Sequence, residues 1–139
     1  MGYKHFLGRS DLSLIAGQAM IERGLEPEFS RAALQELKAI AHAGQDADSR
    51  VVDMTTWLWC SIDNDDSRDL DQLTVAEKQA DGQTKVWVAV ADVDVLVSKG
   101  SALDAHAKHN TTSVYTSTRI FPMLPDRLCT DLTSLNPHQ

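Results

Sequence analysis

The chain has 139 residues, enough for one domain with a real core and too few for two comfortable ones. Hydrophobic residues at 42% and charged residues at 24% are ordinary for a soluble globular protein, and no apolar run approaches the ~20 residues of a membrane span. The net charge of −7 argues against a basic nucleic-acid face, yet one acidic run supplies much of it, and bound divalent cations would offset that run locally. Met1–Arg9 lacks the apolar stretch of a secretory signal, and Cys60 and Cys129 make no disulfide framework. The expected compartment is the cytoplasm.

Residues 1–50 read as a helical region. Ser10 is a plausible N-cap for a first helix with Leu12, Ile15, Ala16, Ala19 and Met20 on its apolar face and Gly24 as its stop. Glu26-Pro27 breaks the chain, and Ser30 can cap a second helix. Its face is Ala33, Leu34, Leu37, Ile40 and Ala41, and it ends at Gly44. Gln45–Arg50 is a polar linker. The simplest role for both helices is to pack on a neighbouring layer.

From Val51 the texture changes. Trp57–Ile62 reads as a buried strand, with Trp57, Trp59 and, further on, Trp87 as core aromatics. Leu73–Gln79 and Lys85–Ala91 read as strands around an Asp81-Gly82 turn. A short helix over Asp104–His109 starts near Ser101, Val114-Tyr115 suggests another strand, and Pro122 and Pro125 bracket an irregular segment. His106 and His109 could suggest a zinc cluster with Asp104, but a solvated helix face accounts for them better. Cys60 and Cys129 read as buried small hydrophobes. The sum is an α+β fold, with residues 1–50 as a helical N-terminal region and 51–139 as a second, mixed region.

The most informative stretch joins the first strand to the hairpin. Asp63, Asp65, Asp66, Asp69 and Asp71 place five carboxylates within nine residues, and Arg68 is the one compensating charge among them. Such charges repel, and desolvating them is costly unless a cation neutralises them. Three readings stand. A calcium loop fits the alternation of Asp63, Asp65, Ser67 and Asp69, but Arg68 occupies the glycine position and Thr74 the position of the bidentate glutamate. A solvated acidic loop is the usual fate of a charge run, with Arg68 offsetting its neighbours. A Mg²⁺ site in which Asp63, Asp69 and Asp71 converge stands modestly ahead, because Asp69 and Asp71 share one face if that stretch is extended.

The same residues carry a resemblance. Ser61–Gln72 resembles the signature of the ribonuclease II/RNase R (RNB-domain) exoribonucleases, in which Ile-Asp precedes a spaced Asp-x-Asp-Asp. Val88–Val93, Gly100–Asp104, Thr112–Tyr115, Phe121–Pro125 and Leu132–Pro137 look like that family too, in its order. The resemblance implies processive, Mg²⁺-dependent hydrolysis of RNA from a single-stranded 3′ end, releasing nucleoside 5′-monophosphates, with Mn²⁺ as a possible substitute. No DNA or membrane partner is expected.

By position, Asp63, Asp69 and Asp71 fall on the family's first three catalytic aspartates. Asp63 would bind metal directly, Asp69 directly or through water, and Asp71 would help position metal and the terminal nucleotide. Gln72 replaces the fourth aspartate and offers one neutral oxygen to the metal. Tyr115 lies where an aromatic meets the RNA. The family's catalytic domain is much longer, so the resemblance implies the front part of that domain, with little or no activity alone. An alternative is a catalytically dead RNA-binding or regulatory remnant. A calcium-binding or structural acidic module is a third.

Overall fold

The computed structural model describes residues 8–44 and 48–136. The chain forms two compact units. One is the described part of Met1–Ala39 with Lys99–Pro125, and the other is Ile40–Ser98 with the described part of Asp126–Gln139. Helices and small antiparallel sheets make an α+β fold, as the sequence predicts.

In the first unit, helix α1 spans Arg9–Glu22. Its cap is Gly8, whose N–H donates to Asp11 Oδ2 at 2.9 Å, so Ser10 lies inside the helix and not at its cap. Of the expected apolar face only Met20 is buried, while Leu12 and Ile15 are exposed. The helix is secured at its C-terminal end, where Leu25 N–H returns to Met20 O at 3.0 Å and Gly24 turns the chain at φ +76°. Helix α2 spans Arg31–Ala39, and the Ser30 hydroxyl accepts from Ala33 N–H at 3.1 Å as an N-cap should. It stops before Ile40, which leaves Ile40 and Ala41 outside the expected helical face. Gln45–Ala47 of the polar linker, Pro137 and the first seven residues lie outside the described part.

Helix α3 spans Ala102–Asn110 and packs on α2. Ser101 Oγ accepts from Asp104 N–H at 3.1 Å, and Glu36 on α2 accepts from Ala102 and Leu103 N–H, both at 2.9 Å. Three of the donors a helix start leaves orphaned are thereby satisfied by side chains. Of the two histidines of α3, His109 is exposed as a solvated face requires, but His106 is not. His106 is only 4% exposed, because its ring lies tilted 4.3 Å from Phe29 and its Nδ1 meets Glu26 Oε2 at 3.2 Å. His109 Nε2 reaches Gly24 O at 2.7 Å. Asn110 holds the backbone of Glu26 from both sides, with Oδ1 accepting its N–H at 2.9 Å and Nδ2 donating to its carbonyl at 2.8 Å. Strands β1 (Gln72–Lys78) and β2 (Thr84–Val90) belong to the second unit; beyond α3 in this one, β3 (Val114–Tyr115) pairs with β4 (Ile120–Phe121). Phe121, Leu103 and Leu124 are buried in this unit.

The second unit is built on a hairpin. Strand β1 (Gln72–Lys78) runs antiparallel to β2 (Thr84–Val90), within a residue of the expected ranges. Gly82, at φ +84°, makes the turn that the Asp81-Gly82 pair signals. Trp57–Ile62 forms no strand. Only Cys60 pairs, bonding to Thr74 in both directions at 2.9 and 2.8 Å, while Leu58 and Ile62 stand 91% and 94% exposed. The three tryptophans form a surface cluster instead of a core. Trp57 stacks on Trp59 at 6.3 Å and meets Trp87 edge-on at 5.4 Å, and Lys85 Nζ lies 3.6 Å over the Trp87 ring. Cys60 is exposed and Cys129 only half-buried, against expectation. A single π-helical turn, Leu128–Leu132, follows on the fully buried Leu128.

The double bond from Asn110 to Glu26 sets the first test. Asn110→Ala leaves both backbone groups of Glu26 unpartnered and should lower stability by about 2–3 kcal/mol, read as a lower urea midpoint at unchanged slope.

Candidate active site

A turn folds the acidic run back on itself. Ser67 N–H donates to Asn64 O at 3.0 Å, which places Asp65 and Asp66 at the exposed tip and Asp63 and Asp69 on its two arms. After Asp69 the chain enters the hairpin. Asp71 O accepts from Ala91 N–H at 2.9 Å, so the β1–β2 ladder continues one residue beyond the Gln72↔Val90 pair and holds Asp71 at its end. Gln72, the next residue, opens β1 opposite Val90 and is exposed.

The three expected aspartates share an electrostatic environment. Partial burial pushes the Asp71 carboxyl above the usual range, and the charges on Asp69 and then Asp63 push it further in the same direction. The ion pairs between described residues, Arg50–Asp48, His106–Glu26 and Arg119–Glu28, do not involve the acidic turn. Nor is the cluster closed. Among the described residues no three His, Cys, Asp or Glu side chains are gathered tightly enough to hold a metal ion. The donor set nevertheless suits a hard divalent cation, since oxygen ligands of one charge are what such a cation neutralises. The loop thus brings Asp63, Asp69 and Asp71 within reach of one another's fields without drawing them into a cage.

The arm carrying Asp69 is pinned from a distant part of the chain. Ser134 Oγ accepts from Leu70 N–H at 3.0 Å, and Leu135 N–H donates to Leu70 O at 2.9 Å. No local pattern in the sequence distinguishes Ser134, because its partners lie 64 and 66 positions away. Tyr115 belongs to the other compact unit, where it sits exposed in β3 opposite Ile120. Asp104, His106 and His109 gather no metal, being occupied in holding α3 to Gly24 and Glu26 and in capping Gly100 N–H.

Comparison with known proteins places these features. Ribonuclease R of Vibrio parahaemolyticus is 43% identical over 86 residues, which are 62% of this chain and 10% of that protein. Ribonuclease R 2 of Lactococcus lactis is 34% identical over an alignment of 140 residues, covering 100% of this chain and 20% of that protein. The chain therefore spans about a tenth to a fifth of the length of the curated relatives it matches. Among solved structures, Mycoplasma genitalium RNase R in complex with double-stranded RNA superposes with a TM-score of 0.77 at 30% identity, over 91% of this chain and 23% of that one. A family model for the RNB domain matches residues 51–139, the stretch that holds the acidic loop, the hairpin and the Ser134 tether, and the chain belongs to the RNB-domain family.

Proposed function

We propose that this chain is the front part of the catalytic domain of an exoribonuclease that hydrolyses RNA from a single-stranded 3′ end and releases nucleoside 5′-monophosphates in the cytoplasm. One observation carries the reading most directly: in an RNB-family chain, Asp71 sits partly buried at the end of the hairpin, where burial and then the charges on Asp69 and Asp63 raise its carboxyl. Mg²⁺, with Mn²⁺ as substitute, fits the donor set. When bound, it orients the scissile phosphate, activates a water and neutralises charge on the leaving oxygen. Asp63 and Asp69 supply anionic oxygens from the two arms of the turn. Asp71, held at the hairpin's end by Ala91, helps fix the metal and the terminal nucleotide. Gln72 contributes a neutral oxygen where the family pattern has a fourth carboxylate. Tyr115 offers an exposed ring for base stacking, worth about 1–3 kcal/mol per base.

The relatives are five to ten times longer than the matched segment, and the open arrangement of the aspartates is consistent with a site that other parts of a longer protein complete. The isolated 139 residues then carry part of the site and have little or no activity. Gln72 favours a second reading, in which the protein is a catalytically dead RNA-binding or regulatory remnant. The two readings separate when the chain is joined to the remainder of a related catalytic domain and given a 5′-labelled RNA. Shortening of the RNA from its 3′ end with Mg²⁺ supports the enzyme, whereas binding without shortening supports the remnant. Processive degradation by the 139-residue chain alone would overturn the partial-site reading.

Three substitutions test the roles. In the completed protein Asp71→Asn should abolish hydrolysis and leave RNA affinity largely intact, because it removes charge at the metal and touches no stacking group. In the metal-free chain it should raise the melting temperature, since an uncharged amide ends the repulsion from Asp69 and Asp63. Gln72→Asp should lower the Mg²⁺ concentration for half-maximal activity by about tenfold, in line with the tenfold to hundredfold effects of groups around a metal. Tyr115→Ala should weaken single-stranded RNA binding by about fivefold to a hundredfold, measured by fluorescence anisotropy.

A further inference from the structure

We infer that Ser134 is a positioning residue for the acidic site, setting where the Asp69 arm stands; the inference rests on the metal-site reading above. Ser134 is 8% exposed, and its hydroxyl both accepts and donates. It accepts from Leu70 N–H at 3.0 Å, and its single proton is shared between Arg68 O at 3.3 Å and Asn136 Oδ1 at 3.4 Å. The bonds to Arg68 and Leu70 fall on the two residues flanking Asp69, so one hydroxyl brackets that aspartate. Leu135 N–H adds a bond to Leu70 O at 2.9 Å and fixes both polar groups of the Leu70 backbone.

The tether is itself anchored. Leu128 is fully buried, and its carbonyl accepts from Thr133 N–H at 3.0 Å and Thr133 Oγ1 at 2.9 Å. That closes the π-helical turn Leu128–Leu132 and fixes the residue before Ser134. A π turn carries a wider ring than an α turn and often marks a functional site. Asn136 Nδ2 reaches back to Thr130 O at 3.3 Å, tying the far side of Ser134 to the same turn. Rigidity therefore runs from a buried leucine through Ser134 to the backbone on either side of Asp69. The acidic turn thus draws a support from outside its own stretch of sequence, through the bonds of Ser134 to Arg68 and Leu70. Groups that orient metal ligands without touching the metal commonly govern affinity tenfold or more.

The test uses the 139-residue chain and NMR, with Ser134→Ala as the variant and Thr133→Ala as the control that loosens the same turn while keeping the hydroxyl. Three quantities are read: hydrogen exchange at the Leu70 amide, backbone relaxation over Arg68–Asp71, and the Mn²⁺ concentration that half-broadens the Asp63, Asp69 and Asp71 amides. In Ser134→Ala, Leu70 exchange should rise at least tenfold and the Mn²⁺ half-point about tenfold, with the hairpin amides of Thr74 and Val88 still protected. Thr133→Ala keeps the Ser134 hydroxyl and the Thr133 N–H bond to Leu128 O, so it should change the Mn²⁺ half-point less than threefold.

Unchanged Leu70 exchange in Ser134→Ala overturns the proposal. So does a released Leu70 with an unchanged Mn²⁺ half-point, an equal effect of Thr133→Ala, or loss of the hairpin signals, since the assigned role is local. If the wild-type chain shows no Mn²⁺ broadening, the metal reading fails for this chain. Ser134 is then judged on Leu70 exchange and Arg68–Asp71 relaxation, where faster motion in Ser134→Ala supports the positioning role and no change refutes it.

Discussion

Repulsion among Asp63, Asp69 and Asp71 is the constraint around which the second unit is organised. Burial, and then the charges on Asp69 and Asp63, raise the cost of ionising Asp71. A loop carrying that load would relax outward if its ends were free. Here each segment is tied to something neutral: the Asn64–Ser67 turn closes on backbone, Asp71 is the last rung of the β1–β2 ladder, and Leu70 is clasped by Ser134 and Leu135. The backbone is therefore what holds the turn in place. Functional sites generally draw support from packing and hydrogen bonds elsewhere.

The first unit solves a different problem, that of short helices with little apolar surface. Isolated helices of nine residues are marginal in water. Both α2 and α3 are of that length; Ser30 caps the first, and a side chain of the first completes the second. Glu36 satisfies two N–H groups at the start of α3, while Asn110 and His109 at its end bind the linker between α1 and α2. Among the described residues no buried side-chain nitrogen or oxygen lacks a partner. The unit owes as much to satisfied polar groups as to its buried Phe121 and Leu103.

What could be read from the sequence was local. The cap at Ser30, the helix start near Ser101, the turn at Gly82 and the two strands around it are short-range signals, and they stand within a residue or so of where the pattern puts them, whereas the cap of the first helix falls on Gly8 and not on Ser10. The acidic run was legible as chemistry because five like charges in nine residues demand an explanation. Misreadings arose where tertiary partners decide. Trp57–Cys60 has the composition of a buried strand, but the Trp59 indole bonds to Met54 O and Trp57 N–H to the same carbonyl, so the segment curls and only Cys60 reaches the sheet. His106 reads as a surface histidine until Glu26, Phe29 and Asn110 enclose it. Ser134 could not be found by any periodicity, since its partners are set by the fold.

The tether also has a bearing on how the protein is made. Leu70 and Ser134 stand 64 positions apart, and closing so long a loop is among the slower events in a small domain's folding. On a ribosome the acidic turn and the hairpin emerge well before residue 134 leaves the exit tunnel. A nascent chain thus displays the aspartates for some time on an arm that nothing yet holds. The order of synthesis delays assembly of the acidic site until the segment that steadies it has emerged.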